Sequence, residues 1–184
     1  MGHPASYEDL LRLPDNVVGE ILDGELHASP RPRVRHALAA SSLTDELLSP
    51  FQKGRGGPGG WWILAEPELH LGHDVLVPDL GGWLRERLPV LPDEAALTLA
   101  PDWVCEVISP AASRIDRVKK LPIYARENVS HAWIVDPALR TLEVFRREGA
   151  GWFLVSTASD GDRVRAQPFN AIEIDRLALW GEAR

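Results

Sequence analysis

The stretch PDWVCEVISP, residues 101–110, constrains this chain more than any other feature. Its apolar residues suit the interior of a β-sheet, and a proline stands at each end. Glu106 interrupts the apolar run. An isolated carboxylate in apolar surroundings costs several kcal/mol unless it is paired, protonated or bound to a metal. The sequence therefore predicts that another part of the chain, or a cation, compensates Glu106.

The two faces of this strand differ in character. Because successive side chains of a strand point to opposite faces, Val104, Glu106 and Ile108 share one face, and the other face is apolar throughout. Glu106 is thus expected to project among apolar neighbours. Two explanations stay open from the residues alone. One is an ion pair with an arginine of a neighbouring element, and the other is coordination of a hard cation such as Mg²⁺, which takes oxygen ligands.

Length and composition are typical of a globular protein. The 184 residues suit one domain, spanning residues 1–184, and 45% are hydrophobic and 26% charged. No apolar run is long enough for a membrane span, and the first residues lack the pattern of a signal peptide. The single cysteine, Cys105, excludes an internal disulfide and reads as a core residue, so we expect the reducing cytoplasm.

The net charge of −7 argues mildly against a nucleic-acid partner, because proteins that bind phosphates usually present a basic face. The local distribution of charge weakens this argument, because basic residues cluster at two places in the sequence. One basic cluster comprises Arg31, Arg33, Arg35 and His36. A second comprises Arg114, Arg117, Lys119, Lys120 and Arg126.

Hydrophobic periodicity and turn signals outline the fold. They predict a short helix over residues 6–13, a hairpin turning at Asp23-Gly24, and a helix over residues 34–48. A glycine-rich loop follows, and strands dominate from Trp61 onward. Predicted strands cover WWILAEPELHL, HDVLVPDL, WVCEVIS, HAWIVDP, TLEVFRR, WFLVST and residues 163–167. Helices between some strands indicate an α/β (α+β) class, a mixed β-sheet flanked by helices.

Two further segments carry candidate chemistry. Asp79 follows the apolar run VLVP, which places it at the end of a predicted strand. In the helix predicted over residues 115–127, Asp116, Lys120 and Tyr124 recur every four residues and form one polar stripe. Pro122 is compatible with that helix only if the helix begins near Arg117 to Lys119. A turn acid and a solvated helix face remain the alternatives for these two segments.

Taken in order, these stretches resemble the PD-(D/E)-x-K nuclease superfamily, and within it the Uma-like group of bacterial restriction endonucleases. The resembling segments lie between residues 7 and 145. They are EILDGELHASPRPRVRH, VPDL, PDWVCEVISP, the pattern D-R-V-K-K-L-P-I-Y, and AWIVDP. The resemblance implies a restriction-endonuclease-like fold and hydrolysis of DNA phosphodiester bonds with Mg²⁺, or Mn²⁺ in its place.

The resemblance also implies roles for individual residues. Asp79 is the acid of the PD motif, Glu106 is the acid of the next strand, and Glu20 completes the metal site. The superfamily places its lysine two residues after the second acid, where this chain has Ile108. The Uma-like group supplies a lysine from the following helix instead, which implies Lys120. His36 and Tyr124 are second-tier candidates, and nucleases of this fold often act as homodimers.

Two other functional classes remain open. A non-catalytic module that binds nucleic acid or protein would keep the fold, and the acidic net charge and the missing lysine after Glu106 favour it. A zinc hydrolase would use His70 and His73, but residues three apart on a strand segment point to opposite faces, and no cysteine accompanies them.

Overall fold

The structure is a computed structural model that describes residues 3–109, 113–159 and 163–182. The strands, in chain order, are β1 (Val17–Leu22), β2 (Glu25–Pro30), β3 (Trp61–Ala65), β4 (Leu69–Leu71), β5 (Asp74–Leu76), β6 (Leu80–Leu84), β7 (Trp103–Val107), β8 (His131–Asp136), β9 (Thr141–Glu148), β10 (Gly151–Ser159), β11 (Arg163–Val164) and β12 (Ile174–Asp175). The helices are α1 (Tyr7–Leu11), α2 (Val34–Leu47), α3 (Ser113–Ile115), α4 (Leu121–Arg126) and α5 (Arg176–Trp180). Two π-helical turns complete the helical segments, Leu48–Gln52 after α2 and Asp116–Lys120 between α3 and α4.

A six-stranded mixed sheet forms the centre, with the strand order β10-β9-β8-β7-β6-β3. Only β7 and β8 pair in parallel, and the other neighbours are antiparallel. The helical segment from α3 to α4 connects the parallel pair, as a crossover between parallel strands requires. The predicted class, a mixed sheet flanked by helices, is confirmed.

Each face of the central sheet packs against its own hydrophobic core. One core joins the face that carries Trp103, Cys105 and Val107 to α2 and α5. The other joins the face that carries Val104 and Ile108 to α4 and to the second sheet. The alternation predicted for the strand around Glu106 is therefore confirmed, and Glu106 lies on the face that meets α4.

The predicted hairpin builds a second, four-stranded sheet in the order β2-β1-β5-β4. Its turn residues Asp23 and Gly24 both have positive φ, 50° and 78°, which matches the turn type that an Asp-Gly pair favours. Two long predicted strands are wrong in extent, because each breaks at a proline. WWILAEPELHL divides into β3 and β4 around Pro67, and HDVLVPDL divides into β5 and β6 around Pro78. Asp79 consequently precedes β6 instead of ending a strand.

The start predicted for the helix containing Pro122 is also wrong. The helical segment begins at Ser113, nine residues before the proline. A π-helical turn makes this possible, with the amide of Leu121 donating to the carbonyl of Asp116, five residues back. The segment ends at Asn128, whose φ of 65° confirms the predicted left-handed cap.

The rest of the chain follows the sequence closely. The predicted pair TLEVFRR and WFLVST forms the antiparallel β9–β10 hairpin, and α1 is capped by Ser6 and Asp9. The strand expected over residues 163–167 shortens to β11, which pairs with β12. Among the described helices, none combines the length and the apolar character needed to cross a membrane.

Candidate active site

A cavity of about 440 Å³ opens where the two sheets and the helical segments meet. Its walls come from the β1–β2 hairpin, the first turn of α2, the β5–β6 connection, the end of β7 and the π-helical turn. The ionisable residues that line it are Glu20, Arg31, Arg33, His36, Glu66, Asp79, Glu106, Asp116 and Lys120. The structure therefore brings Glu20, Asp79, Glu106, Lys120 and His36, all selected from the sequence, to one pocket.

Glu106 lies at the buried end of this pocket. Its Oε1 accepts a hydrogen bond from the Tyr124 hydroxyl at 2.6 Å and lies 2.9 Å from the Lys120 Nζ. Burial raises the pKa of Glu106 well above its usual range. The Lys120 ammonium opposes this rise, and the carboxylates of Asp116, Asp79 and Glu20 add to it. Glu106 therefore lies among acids that disfavour its charge and beside one cation that favours it.

Lys120 is the cation at the centre of the cluster, with 3% of its side chain exposed. Its Nζ lies 3.0 Å from the Glu20 Oε1 and 3.9 Å from the Asp116 Oδ1, and it donates to the Val77 carbonyl at 3.3 Å. Burial lowers the pKa of Lys120, but the carboxylates of Glu106 and Glu20 more than offset this effect, so the pKa lies well above the usual value. The neighbouring Lys119 instead pairs with Glu25 at the surface.

Two contacts fix the orientation of Asp79, one with a backbone amide and one with a side chain of α2. The amide of Val107, at the end of β7, donates to the Asp79 Oδ2 at 2.7 Å. The His36 Nε2, on the first turn of α2, lies 2.5 Å from the Asp79 Oδ1. Glu20 is oriented in a similar way, since its Oε1 accepts the amide of Val77 at 2.8 Å. Glu20 is thereby tied to the short connection between β5 and β6, which also carries Asp79.

The polar stripe predicted for the helix faces the pocket. Tyr124 is fully buried, and burial together with the Glu106 carboxylate raises the pKa of its hydroxyl. Asp116 is buried as well, and burial raises its pKa from 3.8 to about 6, although Lys120 opposes the rise. Asp116 and Lys120, the first and last residues of the π-helical turn, are both buried and line the pocket.

Sequence reasoning did not select Asp116 and Glu66 as site residues. Asp116 carried a signal, because it stands four residues before Lys120 in the stripe. Glu66 carried none. It follows β3, has a φ of 46° that side-chain-bearing residues rarely adopt, and its amide donates to the Asp79 carbonyl at 3.0 Å. Backbone geometry of this kind is visible only in the folded chain.

The chemistry of the donor set suits a divalent cation that prefers oxygen. Four carboxyl groups, those of Glu20, Asp79, Glu106 and Asp116, interact with one another around the single lysine Lys120, so acids outnumber cations in this part of the pocket. In the arrangement of the described residues, no three acid, histidine or cysteine side chains converge closely enough to ligate one ion together. Lys120 lies between Glu20 and Glu106 and compensates both.

The two histidines considered for zinc lie outside this pocket. The His70 Nε2 bonds to the Glu68 Oε1 at 2.7 Å, and its ring packs against the ring of Tyr7. His73 occupies the turn between β4 and β5. The geometry therefore offers no support for a zinc hydrolase built on His70 and His73.

Comparison with known proteins identifies relatives of this chain. The model of the family Uma2, described as "Putative restriction endonuclease", matches residues 6–178. Among solved structures, a protein from Anabaena variabilis described as "a putative nuclease belonging to DUF820" is similar in fold, with a TM-score of 0.78. The two chains are 21% identical, and the match covers 97% of this chain and 98% of the other. No curated protein matches this chain.

Proposed function

This chain belongs to the Uma2 family of restriction-endonuclease-like proteins, and from that premise we propose that it is a metal-dependent endonuclease that hydrolyses DNA. Asp79, Glu106 and Glu20 would hold Mg²⁺, for which Mn²⁺ can substitute, and their side chains would have to draw together from the positions that they occupy here. A bound ion would neutralise charge on the phosphoryl group and lower the pKa of the attacking water. Water would add to phosphorus as one P–O bond breaks, leaving a phosphate on one strand end and a hydroxyl on the other.

The protein's own groups have distinct tasks in this proposal. The Lys120 ammonium, within 3.0 Å of two carboxylates, would orient the attacking water and stabilise the charge that develops on it. Tyr124 holds the Glu106 carboxylate through its 2.6 Å hydrogen bond. His36 holds Asp79 in the same way at 2.5 Å. These last two residues position the acids and need not touch the substrate.

One observation carries the proposal, namely that more carboxyl groups than cations are gathered around the single lysine Lys120. Burying carboxylates that repel one another costs stability, and the raised pKa values of Glu106 and Asp116 report that cost. A pocket that served only the fold would pair each acid, as other buried acids of this chain are paired. The surplus favours a ligand of opposite charge, and a divalent cation is the ligand that oxygen donors select.

The test is conversion of supercoiled plasmid to nicked or linear DNA in Mg²⁺. We expect cleavage by the wild type, loss of cleavage when a chelator removes the metal, and loss in Glu106→Gln. Asp102→Asn is the matched control, because Asp102 is equally buried but is paired with Arg87 at 2.6 Å, outside the pocket. Cleavage by Glu106→Gln at the wild-type rate would refute the assignment.

The ion pairs of Lys120 favour a second candidate function. An ammonium that already bridges Glu20 and Glu106 can serve as a permanent structural replacement for a cation. The chain would then be a non-catalytic module that binds nucleic acid or protein on the same fold. In that case plasmid stays intact in Mg²⁺ and Mn²⁺, and Asp79→Ala binds its nucleic acid or protein partner as tightly as the wild type does.

Three further features belong to the proposal. We expect residues 1–184 to form one nuclease domain, and we expect the protein to act as a homodimer that cuts the two strands of a duplex with its two sites. We also expect it to work in the cytoplasm, where Cys105 stays reduced. Light scattering on the purified protein measures its oligomeric state directly.

A further inference from the structure

The mouth of the pocket carries a positive charge that the fold does not use. Arg33 lies on the loop between β2 and α2, lines the pocket and is exposed to solvent. Within the described ranges, no carboxylate pairs with its guanidinium. Most other arginines of the chain have partners. Arg31, its neighbour on the loop, donates to the Asp15 carbonyl at 3.0 Å.

Arg33 is also placed where a phosphate would meet the acids. It is the residue before the first turn of α2, and His36, three residues later, bonds to Asp79. Arg33 and His36 both line the pocket. A phosphate held by Arg33 would therefore lie in the same pocket as the imidazole that orients Asp79. The first turn of α2 contains no acidic residue to repel it.

We propose that Arg33 binds the phosphate next to the one being cleaved and so fixes the register of the DNA strand in the pocket. This inference rests on the proposed nuclease function and adds a residue that selects the substrate. The acids at the base of the pocket repel a polyanion, so attraction must come from the mouth. Arginine suits this task, because its planar guanidinium can donate two hydrogen bonds to one phosphate.

Arg35 provides a matched control two residues away. It is exposed and has no partner among the described residues, like Arg33, and it changes the net charge by the same amount when replaced. Unlike Arg33, it does not line the pocket. A general electrostatic effect on DNA binding would therefore appear equally in Arg33→Gln and Arg35→Gln, whereas a specific contact would appear only in Arg33→Gln.

The experiment compares two small probes by calorimetry in Mg²⁺. Deoxythymidine 3′,5′-bisphosphate carries two phosphates one nucleoside apart, and deoxythymidine 5′-monophosphate carries one. Because a charged hydrogen bond contributes about 1.5 kcal/mol or more, we expect the wild type to prefer the bisphosphate by about tenfold or more. Arg33→Gln should remove that preference, Arg33→Lys should restore part of it, and Arg35→Gln should retain it.

The KM for an oligonucleotide substrate gives a second readout. We expect Arg33→Gln to raise KM about tenfold with kcat within about twofold, and Arg35→Gln to change KM by less than about threefold. Equal preference for the bisphosphate in the two glutamine variants would overturn the role of Arg33 while leaving the nuclease function intact. A wild type that neither cleaves DNA nor binds either probe would instead overturn the proposed function itself.

Discussion

Buried acids occur in two kinds of surroundings in this molecule. Outside the pocket, Asp74 accepts the amide of Asp23 at 2.7 Å and pairs with Arg126, and Asp102 accepts the amide of Leu84 at 2.9 Å and pairs with Arg87. Their arginines are 50% and 40% exposed, so the cations stay partly hydrated. Each of these acids therefore has one cation and one backbone donor, which compensates its charge at little desolvation cost.

The pocket is organised differently. There, Glu20, Glu106 and Asp116 surround Lys120, and both the cation and the acids are buried. Asp79 adds a fourth carboxylate with a histidine as its side-chain partner. The chain thus pairs two buried acids, Asp74 and Asp102, each with its own arginine. The surplus of acids in the pocket is therefore a property of the site and not of the fold.

The largest expected effect is the difference in cleavage rate between Asp79→Asn and Asp74→Asn. Asp79→Asn should lower the cleavage rate by about 10³-fold or more, because a metal ligand contributes several kcal/mol of transition-state stabilisation. Asp74→Asn should keep the rate within about threefold and lower stability instead, because it breaks the pair with Arg126. Rates on supercoiled plasmid and urea unfolding measure the two effects. Equal rate losses in both variants would erase the distinction between the two kinds of acid.

Replacement of the cations Lys120 and Arg126 should likewise have different effects on stability and on cleavage. Lys120→Met leaves Glu20 and Glu106 buried without their cation and should cost about 3–5 kcal/mol, along with nearly all activity. Arg126→Met removes a cation that is half exposed, so we expect about 1–2 kcal/mol and normal cleavage. Urea unfolding at neutral pH measures the stability change. A Lys120→Met protein as stable as wild type would contradict the compensating role of Lys120.

The pH dependence of stability in wild type and in Asp116→Asn tests the surroundings of Asp116. Its pKa is about 6 in the folded protein against 3.8 for the free side chain, so the folded state binds its proton more tightly. The contribution of Asp116 to the stability of the wild type therefore falls as the pH rises from about 4 to 6, and Asp116→Asn lacks that contribution. We expect the stability of the variant relative to wild type to increase by about 2.4 kcal/mol between pH 4 and pH 7.

Urea unfolding at pH 4, 5.5 and 7 measures this difference, and subtraction of the wild-type curve removes the contributions of other acids. Asp102→Asn, treated in the same way, serves as the control for a buried acid that has its own arginine. A stability difference for Asp116→Asn that stays constant across the series would mean that Asp116 ionises in the pocket without penalty.

The smallest effect compares the two tyrosines of the chain, each of which donates to a glutamate. Tyr124 is fully buried and bonds to Glu106 at 2.6 Å, and Tyr7 is exposed and bonds to Glu68 at 2.9 Å. Tyr124→Phe should cost about 1–2 kcal/mol and Tyr7→Phe less than about 0.5 kcal/mol. Thermal unfolding of both variants measures this, and equal losses would show that burial adds nothing to the Glu106 contact.

Sequence reasoning predicted the parts of the fold that depend on local patterns. The Asp23-Gly24 turn, the alternation around Glu106 and the cap at Asn128 each follow from the residues themselves. The extent of the strands around Pro67 and Pro78 did not follow from the residues, because the two sheets meet there and the chain passes from one sheet to the other. Tertiary packing decides such breaks.

The site was predictable to a similar degree. Spacing placed Lys120 on one stripe with Asp116 and Tyr124, but the helix start was predicted wrongly, since a π-helical turn leaves no signature in residue type. Glu66 reaches the pocket through a backbone angle that glycine or asparagine would favour, so its residue type points away from its conformation. The resemblance made His36 a second-tier candidate, but the contact of His36 with Asp79 was not predicted.

The most direct test of the account is calorimetric titration with Mg²⁺ of wild type, Asp79→Asn/Glu106→Gln and Asp74→Asn/Asp102→Asn. Each double variant removes two carboxylates, of which three are buried and that of Asp79 is half-buried, but only the first pair lines the pocket. We predict Mg²⁺ binding by the wild type and by the second variant, with at least tenfold weaker binding by the first. Equal binding by all three proteins, or none by the wild type, would contradict the claim that the surplus acids form a cation site.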